Sequence, residues 1–254
     1  MRIDRLLIAI LVPAALLCGG CHGGPRRRGE HASARLLDTG PGARVTKRQA
    51  ADVEIAMGRA MEESGDLAGA EDAYARALAK DPRRADAEAR LAVLAHQRGD
   101  EEASDRHFAA ALKLAPDDPE ILCDRGYSLY LRRSWADAEA HFRKALDRDP
   151  RHARAHNNLG LTQARRGDRD EALAAFARAG LDPADAHANL ALATAMEGRM
   201  DEARELYAAA VAAKPDSPGA REGLRAADAA LASRGAPATA RLDPAVARAS
   251  APSP

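Results

Sequence analysis

The chain is short of large rings: 3 Phe, 4 Tyr and 1 Trp make up 3% of its 254 residues. So few bulky side chains do not easily fill one thick globular core. β-Branched and aromatic residues, which furnish strands, are scarce, and this disfavours a sheet protein. Net charge is absent too, with 38 Lys and Arg against 38 Asp and Glu. That balance excludes the basic excess of a nucleic-acid binder. Cysteine is limited to Cys18, Cys21 and Cys123, without metal-type spacing, so neither a disulfide framework nor a zinc site is expected. There is no Gly-rich phosphate loop, nucleophile elbow or His-Glu-x-x-His. His152 and His156 stand four apart but lack a third ligand, and Cys123 reads as a small packing residue. Catalysis, a cofactor, a metal and a small-molecule substrate are therefore not expected. What the chain does have is alanine, 63 of 254 residues. Alanine has the best helix propensity and lets helices approach closely, which points to an all-helical, quasi-linear protein.

The N-terminus reads as a processing segment. Arg2 and Arg5 precede residues 6–20, a run of 15 without a charge. A bilayer span needs about 20 apolar residues, whereas a secretory signal needs fewer. The run ends Leu16-Leu17-Cys18-Gly19-Gly20-Cys21, which resembles a bacterial lipoprotein signal. The resemblance implies cleavage after Gly20 and lipid on Cys21. Cys18 departs from the Leu usual three places before the cut; here Leu17 lies one place earlier. A cleaved soluble export signal and an uncleaved anchor remain alternatives, and each implies export. His22 stands where some bacteria place an inner-membrane retention Asp, which favours the periplasmic face of the outer membrane. Residues 21–50 carry seven basic and two acidic side chains, a net of +5, and show no apolar period. They read as a flexible basic tether, either lying on anionic headgroups or solvated as a spacer.

Beyond residue 50 the sequence repeats. Gly65-Asp66 and Gly99-Asp100 are 34 apart, and Arg133-Ser134 and Gly167-Asp168 continue the interval. Ala70, Ser104, Ala138 and Ala172 keep it, as do Tyr74, Phe108, Phe142 and Phe176, and then Ala77, Ala111, Ala145 and Ala179. Pro82, Pro116 and Pro150 close three units. This pattern resembles the tetratricopeptide repeat (TPR), a helix–turn–helix unit. The registers are 51–84, 85–118, 119–152, 153–183 and 184–217, the fourth being three residues short. The resemblance implies an all-α fold: a right-handed TPR superhelix (α-solenoid) of five repeats. The shortened fourth unit predicts a changed crossing angle to the fifth. Thr46-x-x-Gln49 forms a capping box before the first helix. Leu224 and Leu231 punctuate a capping helix over 218–235, and residues 236–254, with four prolines, read as a disordered tail. The family's Trp near the start of helix A is replaced by Glu54, Glu88, Leu122, His156 and His187, and the turn Gly of unit three by Arg133, so looser packing is expected there.

In TPR proteins a concave groove is lined by helix A of each unit. The ninth positions here are Arg59, Val93, Tyr127, Leu161 and Leu192, and Tyr130 lies one turn from Tyr127. The resemblance implies a groove floor of Val93, Tyr127, Tyr130 and Leu161 for an apolar or helical peptide, with Asn157, Asn158 and Asn189 offering amides to a ligand backbone. Asp52, Asp86, Glu120 and Asp185, with Arg154 between them, form a rim that prefers a basic partner or simply offsets helix dipoles. Residues 51–150 carry 15 basic and 22 acidic residues, a net of −7. The composite resembles bacterial TPR lipoproteins, including pilus-assembly lipoproteins of the tight-adherence type. It implies a membrane-anchored scaffold that binds protein or peptide partners in envelope, pilus or secretion-system assembly. The alternative is an adaptor for a cell-wall enzyme.

Overall fold

The computed structural model describes residues 45–235. Cys21, the signal, the tail and the tether up to residue 44 lie outside them; the last four residues read as tether, 47–50, instead form the first turn of a helix that Thr46 caps. The described residues contain eleven α-helices and no strand. They fall into two compact units, 45–181 and 182–235.

The first unit holds eight helices: α1 (Lys47–Ser64), α2 (Leu67–Lys80), α3 (Ala85–Gln97), α4 (Glu101–Leu114), α5 (Pro119–Leu131), α6 (Trp135–Arg148), α7 (Ala153–Arg166) and α8 (Arg169–Arg178). Each odd-numbered helix pairs with the even-numbered one after it, giving the expected helix–turn–helix units. Side chains decide where they begin. Thr46 forms the complete capping box with Gln49, while Asp66, Asp100 and Asp118 accept from backbone N–H groups of the first turns of α2, α4 and α5. The core is a stack of rings: Tyr74, Phe108, Phe142 and Phe176 are each at most 1% exposed, between small residues that let the helices meet. The approach is close enough to need glycine at Gly126, where an added Cβ would fall 2.6 Å from the Phe142 ring. Gly58 and Gly160 face Tyr74 and Phe176 in the same way. These mid-helix glycines are a feature the repeat spacing did not single out.

Glutamates stand where the family's Trp is missing, and they tie the two helices of a repeat together. Glu54, 8% exposed, accepts from Arg76 Nε at 2.9 Å and from Lys80 Nζ, which holds its carboxyl below the usual range. Glu88 meets His107 Nδ1 at 2.7 Å. Leu122 is simply buried.

The turn of repeat three keeps its geometry despite losing its glycine. Arg133 has φ 62°, the left-handed region that Gly65 and Gly99 occupy in their own turns. The Ser134 N–H still reaches Leu129 O at 3.0 Å, so the cost is conformational. Left-handed backbone costs a residue with a Cβ roughly 1 kcal/mol. Arg133→Gly is therefore expected to stabilise the chain by up to about 1 kcal/mol in urea unfolding; a loss of stability would show that Arg133 makes compensating contacts.

Helix α8 explains the short fourth repeat. Helices α2, α4 and α6 end at Asp81, Ala115 and Asp149, each with negative φ, just before the repeat prolines. Helix α8 stops after 10 residues instead, with Gly180 at φ 87° and Leu181 N–H bonded to Phe176 O at 3.1 Å. This is a Schellman cap, the device that ends the first helix of a repeat elsewhere in the unit. Ala179 consequently lies past the helix and is only partly buried, unlike Ala77, Ala111 and Ala145.

The second unit holds α9 (Pro183–Met196), α10 (Met200–Ala213) and α11 (Pro218–Gly235). Tyr207, Ala203 and Ala210 repeat the ring-and-alanine packing, and α11 packs on both α9 and α10. Lys214 Nζ lies 2.7 Å from Asp182 Oδ2, and the Asp185 N–H donates to Asp182 Oδ1 at 2.8 Å. These partners, Lys214 foremost, hold the Asp182 carboxyl down at about 2. A depressed folded-state value adds stability that is complete above the unfolded value near 4 and is lost as pH falls toward the folded one. In thermal unfolding of the full chain, Asp182→Asn is expected to flatten the pH dependence between about 4 and about 2. An unchanged acid limb would show that the pair contributes nothing.

Candidate functional site

The first helices of successive repeats, α1, α3, α5 and α7, bring charged side chains together around a hollow of about 590 Å³ in the unit 45–181. Its walls include Arg59, Glu62 and Glu63 of α1, Asp86 and Arg90 of α3, Asp118, Glu120 and Asp124 at α5, and Arg154 of α7, over a floor of Ala89 and Ile121. The charges are arranged as links between repeats. Arg90 Nε donates to Glu62 Oε1 at 3.0 Å, and Glu62 also accepts from the Tyr74 hydroxyl at 2.5 Å. Burial together with that carboxylate pushes the Tyr74 phenol above its usual range. Arg154 donates to Asp124 Oδ1 at 2.5 Å and to Glu120 Oε2 at 2.6 Å. Arg84 grips Asp86 with two nitrogens, at 3.0 and 2.7 Å, and reaches Asp52 as well. Asp86 is held below the usual carboxylate range against the opposing effect of burial, chiefly by Arg84.

These links alter the rim expected from sequence. Arg84 is shared between Asp52 and Asp86, and Arg154 between Glu120 and Asp124. Six carboxylates nevertheless face three guanidiniums in the lining, so the hollow keeps a negative excess.

The expected apolar floor is also redistributed. Of the ninth-position residues only Arg59 lines the hollow. Val93 and Leu161 are partly buried, Leu161 against the core cluster that includes Leu122 and Phe142, and Tyr127 is 43% exposed. Tyr130 is not a surface aromatic: it is 9% exposed, with its ring 6.0 Å from Tyr127 and 5.2 Å from Trp135. The Arg165 guanidinium lies 5.0 Å over the Trp135 ring, completing a stack that runs inward from Tyr127. Trp135, which closes the stack, is the only Trp of the chain and opens α6; its rarity was the one sequence signal for it. Asn158 is buried as well. Its amide donates to Cys123 Sγ at 3.7 Å because that face of α7 turns toward α5, so it links the third and fourth repeats. Asn157 is partly buried on α7; Asn189 and Leu192, also partly buried, lie on α9 in the second unit.

Two other candidates are absorbed by packing. Burial pushes the Cys123 thiol up to about 12, which leaves it protonated and unreactive. His152 accepts from the Ala155 N–H at 3.4 Å to cap α7, and His156 Nε2 donates to Pro150 O at 3.0 Å. Among the described residues no three metal-ligating side chains cluster, and no helix is long and apolar enough to cross a membrane.

Comparison with known proteins accords with this geometry. The chain is similar to the solved structure of pilF from Pseudomonas aeruginosa, at 20% identity over 74% of this chain and 93% of that one, with a TM-score of 0.55. It is similar to PilW, described as a widely conserved type IV pilus biogenesis factor, at 22% identity over 69% and 90% of the chains, with a TM-score of 0.55. It is also similar to YrrB, a TPR protein with an unusual peptide-binding site, at 22% identity over 68% and 90%, with a TM-score of 0.50. No curated protein matches the chain. The family model of the tetratricopeptide repeat matches residues 55–119, 123–186 and 178–218. With its rings, small residues and turn geometry recurring at the repeat interval, the chain belongs to the tetratricopeptide repeat family.

Proposed function

We propose that this protein is an exported, lipid-anchored scaffold that grips a segment of a partner protein in the hollow between the first helices of its repeats, in the service of pilus or other envelope assembly. The observation that carries the reading is the hollow itself: an open concavity whose charged walls are linked across repeats and held in place before any ligand arrives. Its excess of carboxylates suits a segment rich in Lys or Arg, and Tyr127 at the surface offers such a segment a ring to lie against. The likeness to PilF and PilW supports the choice of pilus assembly, and that to YrrB supports peptide binding. The Gly19-Gly20-Cys21 signal supports the anchor.

Two tests separate the parts. Cys21→Ser is expected to move the processed protein from the membrane to the soluble fraction; a cleaved product that stays on the membrane would contradict the lipid anchor. Genes for a secretin and a pilus ATPase are expected beside this one, and peptidoglycan-enzyme genes in their place would redirect the role.

A further inference from the structure

In the unit 45–181, α3 and α7 pack on the helix before them through the third, seventh and tenth positions of their repeats. In α3 these are Ala87, Leu91 and Leu94, at 0, 7 and 2% exposure, clustered with Ala70, Tyr74 and Ala77 of α2. In α7 they are Ala155, Leu159 and Thr162, at 0, 7 and 0%. In α1 they are Val53, Met57 and Ala60. Val53 and Met57 are each 43% exposed, and Ala60 and neighbouring Ala56 are exposed too. Among the described residues α2 is the helix packed against α1, and it takes the opposite face, through Ala51 and Ile55. An array normally presents a polar face at its end for solubility. The Thr46 capping box satisfies the backbone at this end but leaves an apolar surface of the kind that elsewhere in the chain receives another segment.

We propose that Leu36-Leu37 of the same chain covers this face. Between residues 22 and 44, which lie outside the described part, they are the only large apolar side chains. The reach suffices: eight residues separate Leu37 from Thr46, and the nine Cα-to-Cα steps between them span up to about 30 Å of extended chain, while Met57 lies about 16 Å along α1 from Thr46. Gly40-Pro41-Gly42 stands between, where proline stops a helix and glycine allows the chain to reverse. The docking shortens the free tether to residues 22–35 and fixes where it leaves the array.

The test uses the full chain with Cys18, Cys21 and Cys123 changed to Ser. Leu37→Cys is combined with Met57→Cys, and separately with Arg59→Cys, which points into the groove. The first pair is expected to close an intramolecular disulfide about ten-fold faster than the second. Equal rates overturn the proposal. A disulfide-linked dimer that forms faster at higher concentration also overturns it, assigning the face to a second copy. In the otherwise unaltered full chain, Leu36→Asp with Leu37→Asp is expected to speed amide exchange across residues 50–60 about five-fold. Unchanged exchange overturns the proposal.

Discussion

Phe142→Ala is expected to lower the stability of the chain by about 3–5 kcal/mol, the usual cost of emptying a fully buried ring site. Phe142 is 0% exposed and belongs to the cluster that joins Leu122 and Leu129 of α5 to Ala155 and Leu159 of α7. The ring therefore holds its own repeat together and also seats the next one. Gly126 leaves no side chain that could swing into the cavity, and Leu159 is already committed to the same cluster. Repeat arrays sum local and nearest-neighbour terms, so a lesson in one ring is felt at both of its interfaces. The measurement is the urea midpoint of the full chain beside Leu114→Ala, a residue 41% exposed, whose cost should stay within about 0.5 kcal/mol. Equal shifts in the two variants would deny the ring stack its central place.

Glu63→Lys combined with Glu120→Gln is expected to weaken binding of a lysine-rich peptide about ten-fold at low salt, or about 1.4 kcal/mol. Both residues line the hollow and both are exposed, so the fold has little to lose. Arg59→Glu adds negative charge to the same walls and should strengthen binding. Opposite signs from neighbouring side chains distinguish electrostatics from general damage. The effect should shrink as salt rises, because the screening length is only about 10 Å at 0.1 M. Equal weakening by both variants would count against charge as the basis of recognition.

The repeats were legible because their packing depends on residue types that recur at a fixed interval: a ring, two small residues and a turn. Arg133 was legible as a departure, but whether the turn would survive it was not, because backbone strain and local hydrogen bonds compete there. The early stop of α8 was visible as a three-residue deletion, while its Schellman cap depended on where Gly180 fell relative to the last turn. The candidate site was harder to read. Family positions identified Arg59 and Tyr127 as reachable, yet the same positions could not tell that Tyr130 turns toward Trp135 or that Asn158 turns toward Cys123. Those orientations follow from how much of each helix the next repeat covers. The links Glu62–Arg90 and Asp124–Arg154 join residues far apart in sequence and off the helical spacings that make charge pairs recognisable. Only the net negative charge of the first half hinted at them.

The central claim is that the hollow between α1, α3, α5 and α7 is where a partner is held. The most direct measurement installs a photo-crosslinking side chain in living cells at Arg59 or at Glu63, and at Glu102 as a control, whose side chain is 87% exposed on α4. Positions 59 and 63 should capture the same exported protein through a stretch rich in Lys or Arg, with no such adduct from position 102. Capture of that protein equally from all three positions, or from position 102 alone, would contradict the account.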